Sequence, residues 1–456
     1  MIAIGIDVSK GHSTVAAVGE GKITLQKPFN VSHNKAELLD LIDFVNGFDD
    51  NTCVVMEHTG VYYRVIAETL CAVGIRVSVV NPVLIKQFGD NTLRKVKTDK
   101  KDSMKIARYA IENRNKLRDY TSVDETRDSL KSFVRQFNFE NKTLSAHKNS
   151  FNALLERVFP GIDRFFTSPA KSDGGLKLAD FICEFWHNDC VCLINEIKFI
   201  EKYKKFCKKN RYNFSEKTAK AIHALSLQNL TTMKKTDTTK ILVQGLAKRV
   251  LGLTETVETL RAQMIKLAKQ LPEFPAVIAL YGVGETIAAQ LIGEIGDVRR
   301  FANKRALVAF AGVDPDKDDS GKKVSISGKI SRHGDALLRK AVYLAVECYL
   351  LRSPVDEPVY QFLDKKRSEG KHFYVYMTAA CNKFLRIYYA RICEYLNSLE
   401  TDSPTITIAV SSIIPTHSAN NNIAFTCKQD RATQECDPSG LRGFAKQMRI
   451  VKEQGS

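Results

Sequence analysis

The sequence predicts an α/β domain over about residues 1–120, joined to a mainly helical body. Three observations predict this. Short apolar runs alternate with amphipathic stretches up to about residue 110. Leu246, Val250, Leu253, Val257, Leu260, Met264, Leu267 and Leu271 then recur at spacings of four and three, a coiled-coil seam. Charge is also divided. The chain carries a net +17, yet residues 1–90 hold 7 Lys+Arg against 10 Asp+Glu, leaving 61 basic and 41 acidic residues, +20, for the remainder. A basic body behind an acidic head points to a polyanionic partner, nucleic acid before a membrane surface.

Ile2-Ala3-Ile4-Gly5-Ile6 is a continuous apolar run of the kind a buried strand shows, with Asp7 at its end. Ser13–Val18 and Lys22–Leu25, separated by Gly19-Glu20-Gly21, complete a three-stranded meander. Asn34 caps a helix carrying Leu38, Leu41, Ile42 and Val45. A fourth strand, Thr52–Met56, delivers Glu57. A helix from Val61 to Ala72 and a fifth strand, Arg76–Val80, precede the breaker Asn81-Pro82. Asp99 and Asp102 then open a helix through Met104–Ala110. The order βββαβαβ with a closing helix is that of an RNase H-like domain.

Asp99 and Asp102 share a helix face, being three residues apart. Acids in a first turn also cap a helix and complement its dipole, and that plainer reading stands beside the functional one. Asp7 and Glu57 end strands, where ligands of open α/β sheets gather. Four converging carboxylates repel unless protons or cations compensate, so the set is a candidate Mg²⁺ site. Any one of these acids alone reads as merely solvated.

Residues 121–271 read as a helical linker: a long helix through Leu130, Phe137, Leu144, Phe151 and Val158 to Pro160-Gly161, then an irregular basic segment over 161–238, then the seam. In Tyr203-Lys204-Lys205-Phe206-Cys207-Lys208-Lys209 aromatic and basic residues interleave, as on a nucleic-acid surface or a solvated helix face. The seam fits either the 130–158 helix or a second copy, and a homodimer is the expectation. Residues 272–399 form a further helical domain. Gly282 and Gly284 lie in a helix-hairpin-helix-like turn whose amides could hold phosphate, or in a plain connection. Residues 400–456 read as a flexible tail.

Eleven cysteines include no C-x-x-C pair, which argues against a zinc site or a disulfide framework. No run reaches membrane-span length, and the chain enters a strand without a leader, so a reducing, cytoplasmic compartment is expected.

Gly5-Ile6-Asp7-Val8-Ser9-Lys10, Glu57-x-Thr59-Gly60, Asn81-Pro82 and Thr98-Asp99-x-x-Asp102 resemble the DEDD-type recombinases. These are insertion-sequence transposases of the "one-ten" family and the related Piv-type DNA invertases. Gly282-Val283-Gly284, Phe310-Ala311-Gly312-Val313-x-Pro315, Ser320-Gly321-Lys322 and Ile330-Ser331-Arg332-x-Gly334-Asp335 are similar to the downstream pattern. His58 and Ser103 depart from the small apolar residues expected at their positions.

The resemblance implies a RuvC-like domain whose Asp7, Glu57, Asp99 and Asp102 bind Mg²⁺, and a C-terminal transposase domain whose Ser320 attacks DNA. It further implies homodimers or homotetramers, nucleoid-associated DNA partners and a structured guide RNA. Ser325, Ser327 and Ser331 compete with Ser320, which otherwise reads as a turn residue. Lys322, Lys323 and Arg332 read as phosphate contacts. A two-metal nuclease that uses water, and a non-catalytic architectural protein, are the rival readings.

Overall fold

The computed structural model describes residues 1–48, 51–58, 60–88, 98–121, 124–314, 319–320, 323–324, 330 and 334–401. They fall into two units, one built on Met1–Val123 and one beginning at Asp124.

In the first unit the order is β1 (Ile2–Val8), β2 (His12–Val18), β3 (Thr24–Ser32), α1 (Lys35–Asn46), β4 (Thr52–Glu57), α2 (Tyr63–Ala72), β5 (Val77–Val80), α3 (Pro82–Phe88) and α4 (Asp99–Glu112). Each expected element is present, and β3 runs longer than its apolar stretch suggested. Asn34 caps α1 by accepting from Glu37 N and donates its Nδ2 to Glu37 Oε1, while Glu37 Oε2 accepts from Ser32 N just ahead of the cap. Thr98 caps α4, its hydroxyl accepting from Lys101 N. Pro82 does not break the chain: it is the first residue of α3, where its missing N–H costs no hydrogen bond.

The strands form one mixed sheet in the order β3-β2-β1-β4-β5. β1 is antiparallel to β2 and parallel to β4, and β4 is parallel to β5. Side chains alternate between the faces. Ile4, Ile6, Val8, Val54 and Met56 bury one face with Leu38, Leu41 and Ile42 of α1 and Ile66 and Leu70 of α2. Ala3, Cys53 and Val55 bury the other with Ile85 of α3 and Ile106, Tyr109 and Ala110 of α4.

Gly5 makes that second layer possible. A Cβ there would overlap the Ser103 carbonyl oxygen and lie 2.5 Å from Ala107 N, so α4 rests on the bare backbone of β1. Ser103 is fully buried at this crossing, which accounts for a small residue there. At the other end of α4, Glu112 pairs with Lys22 at 2.5 Å, beside the turn after β2. The helix therefore runs antiparallel to β1, and its first turn lies toward the Asp7 end of the strand.

The second unit is helical. α5 (Glu125–Val158) and α10 (Asp237–Ala268) pack lengthwise and antiparallel. Arg157 O, at the end of α5, accepts from Thr232 N and Met233 N ahead of α10. At the opposite end Arg127 forms a two-pronged ion pair with the buried Glu273. Val250, Leu253, Val257 and Met264 are buried in this hairpin. The seam that suggested a homodimer is thus occupied by α5 of the same chain.

Residues 161–238 were expected to be irregular. Instead they contain α6 (Lys177–Glu184), α7 (Asp189–Cys192), α8 (Glu196–Lys209) and α9 (Glu216–Gln228). α6 and α7, of 8 and 4 residues, have too few turns for periodicity to emerge, whereas α8 and α9, of 14 and 13 residues, are long enough to show it. Phe181, Phe185, Phe199, Tyr203 and Phe206 form their core, with Phe181 and Phe185 ring centroids 4.8 Å apart. The aromatics of α8 are therefore core residues, and its lysines form a solvated face.

α11 (Phe274–Ile278), α12 (Glu285–Ile295), α13 (Lys304–Ala311), a two-stranded ribbon of β6 (Asp319–Ser320) and β7 (Lys323–Val324), α14 (Ala336–Arg352), α15 (Pro358–Ser368) and α16 (Phe373–Thr401) complete the unit. One core runs from Leu130 to Leu396, across the expected boundary at 271/272. The expected tail lies, from residue 402, outside the described residues.

A charged cluster lies within this core. α12 crosses α5 so closely that a Cβ on Gly293 would be 2.8 Å from Val134 Cγ2. Beside that crossing Arg135 Nη2 reaches Glu294 Oε2 at 3.4 Å and Asp335 Oδ2 at 3.5 Å. Among the described residues, Glu294 Oε1 and Gln290 Oε1 are buried without a hydrogen-bond partner. Burial pushes the Glu294 carboxyl up, Asp335 adds to the rise, and Arg135 and Lys131 oppose it.

Two outcomes follow from these packings. Gly5→Ala should destabilise the first unit by about 3 kcal/mol or more, at the upper end for overpacking because backbone atoms oppose the methyl group; chemical denaturation that leaves stability unchanged would contradict the crossing. For Glu294 the folded pKa lies above the ordinary 4.5, so the folded chain retains a proton that the unfolded chain has released. Below 4.5 the difference vanishes, and above it ionisation increasingly opposes folding. The stability of Glu294→Gln relative to the parent should therefore rise with pH from about 4.5 upward in paired denaturation curves; a pH-independent difference would contradict it.

Candidate active site

Alternation along the strands decides where the first two acids stand. Ala3 and Gly5 face α4, and Asp7 is next in that series. Cys53 and Val55 face the same layer, and Glu57 is next in theirs. Ile6 pairs with Met56 in the parallel register, so Asp7 and Glu57 are neighbours across the β1–β4 ladder at its C-terminal edge. Both side chains are half-buried.

α4 supplies the other pair. Asp99 and Asp102 occupy its first turn, the former exposed and the latter half-buried. Because α4 runs antiparallel to β1 over Gly5, that turn lies toward the edge carrying Asp7 and Glu57. Helix and sheet thus bring the four carboxylates to one end and one face of the sheet.

The set consists of carboxylate oxygens alone, the hard donors Mg²⁺ prefers. Donor chemistry fits such an ion. Spacing is looser: among the described residues no three His, Cys, Asp or Glu side chains are close enough together to hold a metal. The carboxylates share an edge without forming a closed cage.

In the second unit Ser320 pairs with Lys323 across the β6–β7 ribbon, with residues 321 and 322 between them. Lys322 and Arg332, and the competing Ser325, Ser327 and Ser331, lie outside the described residues. Gly282 has φ +76°, and a Cβ there would be 2.6 Å from Ala345 O. It is a packing glycine, needed where its turn presses on α14. Gly284 precedes α12 and has open space around it. The first turn of α12 already carries Glu285, paired with Lys269 at 2.6 Å, which disfavours a phosphate there.

The sequence reading missed the Arg135–Glu294–Asp335 cluster and the contacts holding the ends of the Ser320 segment. A signal for the first was present: Gln290 and Glu294 stand four apart in the otherwise apolar stretch Ile287–Ile295. Arg339 had none, being one cation among many.

No helix among the described residues is long and apolar enough to cross a membrane. Comparison with known proteins supplies the rest. A DEDD-type IS110 transposase model matches residues 4–160, covering the sheet, α4 and α5. A second model, described as the transposase IS116/IS110/IS902 family, matches residues 276–361, from α11 past the Ser320 ribbon into α15. The chain is also similar to an uncharacterized 43.6 kDa protein of insertion element IS110 from Streptomyces coelicolor, 31% identical over 137 residues. That match spans 30% of this chain and 33% of the relative. With both parts of its architecture matched in order, the chain belongs to the IS110 family of transposases.

Proposed function

We propose that this chain is a DNA transposase that cuts and rejoins the ends of a mobile element through a serine nucleophile. The observation that carries the reading is the paired family match, over the acidic sheet unit at 4–160 and the Ser320-bearing segment within 276–361. The strand order 3-2-1-4-5, with α4 across its centre, supports an RNase H-like, RuvC-like identity for the first unit. The net +20 beyond residue 90 supports a nucleic-acid partner.

In this reading Asp7, Glu57, Asp99 and Asp102 would hold Mg²⁺, which when bound supplies charge neutralisation at the reacting phosphate. Ser320 Oγ attacks the phosphorus of a DNA phosphodiester. A new P–O bond forms to the serine, the bond to one sugar oxygen breaks, and that oxygen takes up the proton the serine loses. A hydroxyl end of another strand then attacks the phosphoserine, restoring the serine and joining the strands. Lys322, Lys323 and Arg332 would neutralise flanking phosphates. A structured RNA encoded by the element would supply sequence choice by base pairing, and dimers or tetramers would bring two DNA ends together by a surface other than the α10 seam.

The test is a covalent trap. Protein incubated with Mg²⁺, DNA carrying the element ends and the co-expressed RNA is denatured and analysed for protein-bound DNA. An adduct that disappears in Ser320→Ala supports the serine mechanism. Efficient cutting without an adduct in either protein overturns it in favour of a water-using nuclease.

A further inference from the structure

The end of α13 and the start of α14 meet in a narrow neck. Gly312 closes α13 in the left-handed region, at φ +65°. A Cβ on Gly334 would overlap both Phe310 O and Gly312 N, and one on Gly312 would be 2.7 Å from Gly334 N. The two chain ends therefore touch backbone to backbone, closer than any side chain allows. Asp335 N donates to Phe310 O at 2.8 Å across the neck.

One side chain ties the two ends together. Arg339 Nη1 donates to Ala311 O at 2.9 Å on the outgoing end and to Gly334 O at 3.1 Å on the returning end. Arg339 lies on the first turn of α14, whose cap is Asp335: its Oδ1 accepts from Leu337 N and Leu338 N, each at 2.9 Å. The second Asp335 oxygen faces Arg135 of α5, which also reaches Glu294 of α12. The neck is thereby anchored to three core helices.

We propose that Arg339 is a positioning residue for Ser320. The inference rests on the serine reading above. In the sequence, residues 313–333 lie between the two ends of this neck, and Ser320 stands only eight residues beyond Gly312. A nucleophile on a segment tethered at two points depends on how firmly those points are held, since a misplacement of about 1 Å can cost about 100-fold in rate. Both carbonyls are served by the one nitrogen Nη1, whose two hydrogens the planar guanidinium holds in fixed directions, whereas a lysine ammonium turns freely on its stem and fixes neither end.

The experiment compares Arg339→Ala, Arg339→Lys and Ser320→Ala in the full chain, with Mg²⁺, end DNA and RNA present. Adduct formation is timed at saturating DNA, and DNA affinity and thermal melting are measured on the same samples. Arg339→Ala should form adduct about 10- to 100-fold more slowly, with DNA affinity within about twofold of the parent. Added guanidinium should restore part of the rate, and Arg339→Lys should fall between the two. These readouts separate positioning from folding, because a merely unfolded variant loses DNA affinity and gains nothing from guanidinium. A parental rate in Arg339→Ala, or a rate loss matched by an equal affinity loss without rescue in either variant, overturns the proposal while leaving Ser320 in place. An adduct persisting in Ser320→Ala would instead overturn the serine reading, and this inference with it.

Discussion

The passage of α4 over the bare backbone of β1 at Gly5 is the constraint on which the acidic edge depends. Any side chain at that position would meet Ser103 and Ala107 and lift the helix from the sheet. With the helix seated, alternation leaves Asp7 and Glu57 on the α4 face. Antiparallel travel then carries the first turn of α4 to the same edge. Three separately encoded facts, a glycine, a strand period and a helix direction, bring four like charges together. Like charges at one edge repel unless a cation or protons compensate, and that is the physical basis of the proposed Mg²⁺ reading. Thr98 already performs the capping.

The helical unit handles charge differently. Arg127 and Glu273 are both desolvated and meet as a two-pronged pair, the geometry in which attraction best offsets lost hydration. Removing either partner would strand the other. The Arg135–Glu294–Asp335 cluster is less complete, with one Glu294 oxygen buried and unsatisfied. It stands directly behind the cap of α14, so a buried, incompletely paired carboxyl lies beneath the neck.

Much of this was legible in the residues. Apolar runs and period-3.6 patterns located β1, β2, β4, β5, α1, α2 and α4, because each buries a face, whereas β3 buries only Val31 and runs beyond its apolar stretch. The acidic quartet was legible because strand-end and first-turn positions follow from element boundaries. Three things were not. Pro82 was read as a breaker, although the same residue suits the first position of a helix. Of the helices between 161 and 238, α6 and α7 are too short for periodicity, and the aromatic core residues of α8 resembled a stacking surface among its lysines. The seam of α10 is a local pattern that does not name its partner; only the long-range pairing with α5 decides that. Arg339 and Gly334 were illegible for the same reason, since their role lies in contacts across a chain reversal.

The central claim, that one sheet edge gathers carboxylates for a divalent ion, is tested most directly by calorimetric titration of the full chain with Mn²⁺, without nucleic acid. The account predicts saturable binding that weakens at least about tenfold in Asp7→Asn and in Asp102→Asn, one acid from the sheet and one from α4, with folding intact by thermal melting. Equal binding in the parent and both variants would contradict it, and would return these acids to solvated strand ends and a capped helix.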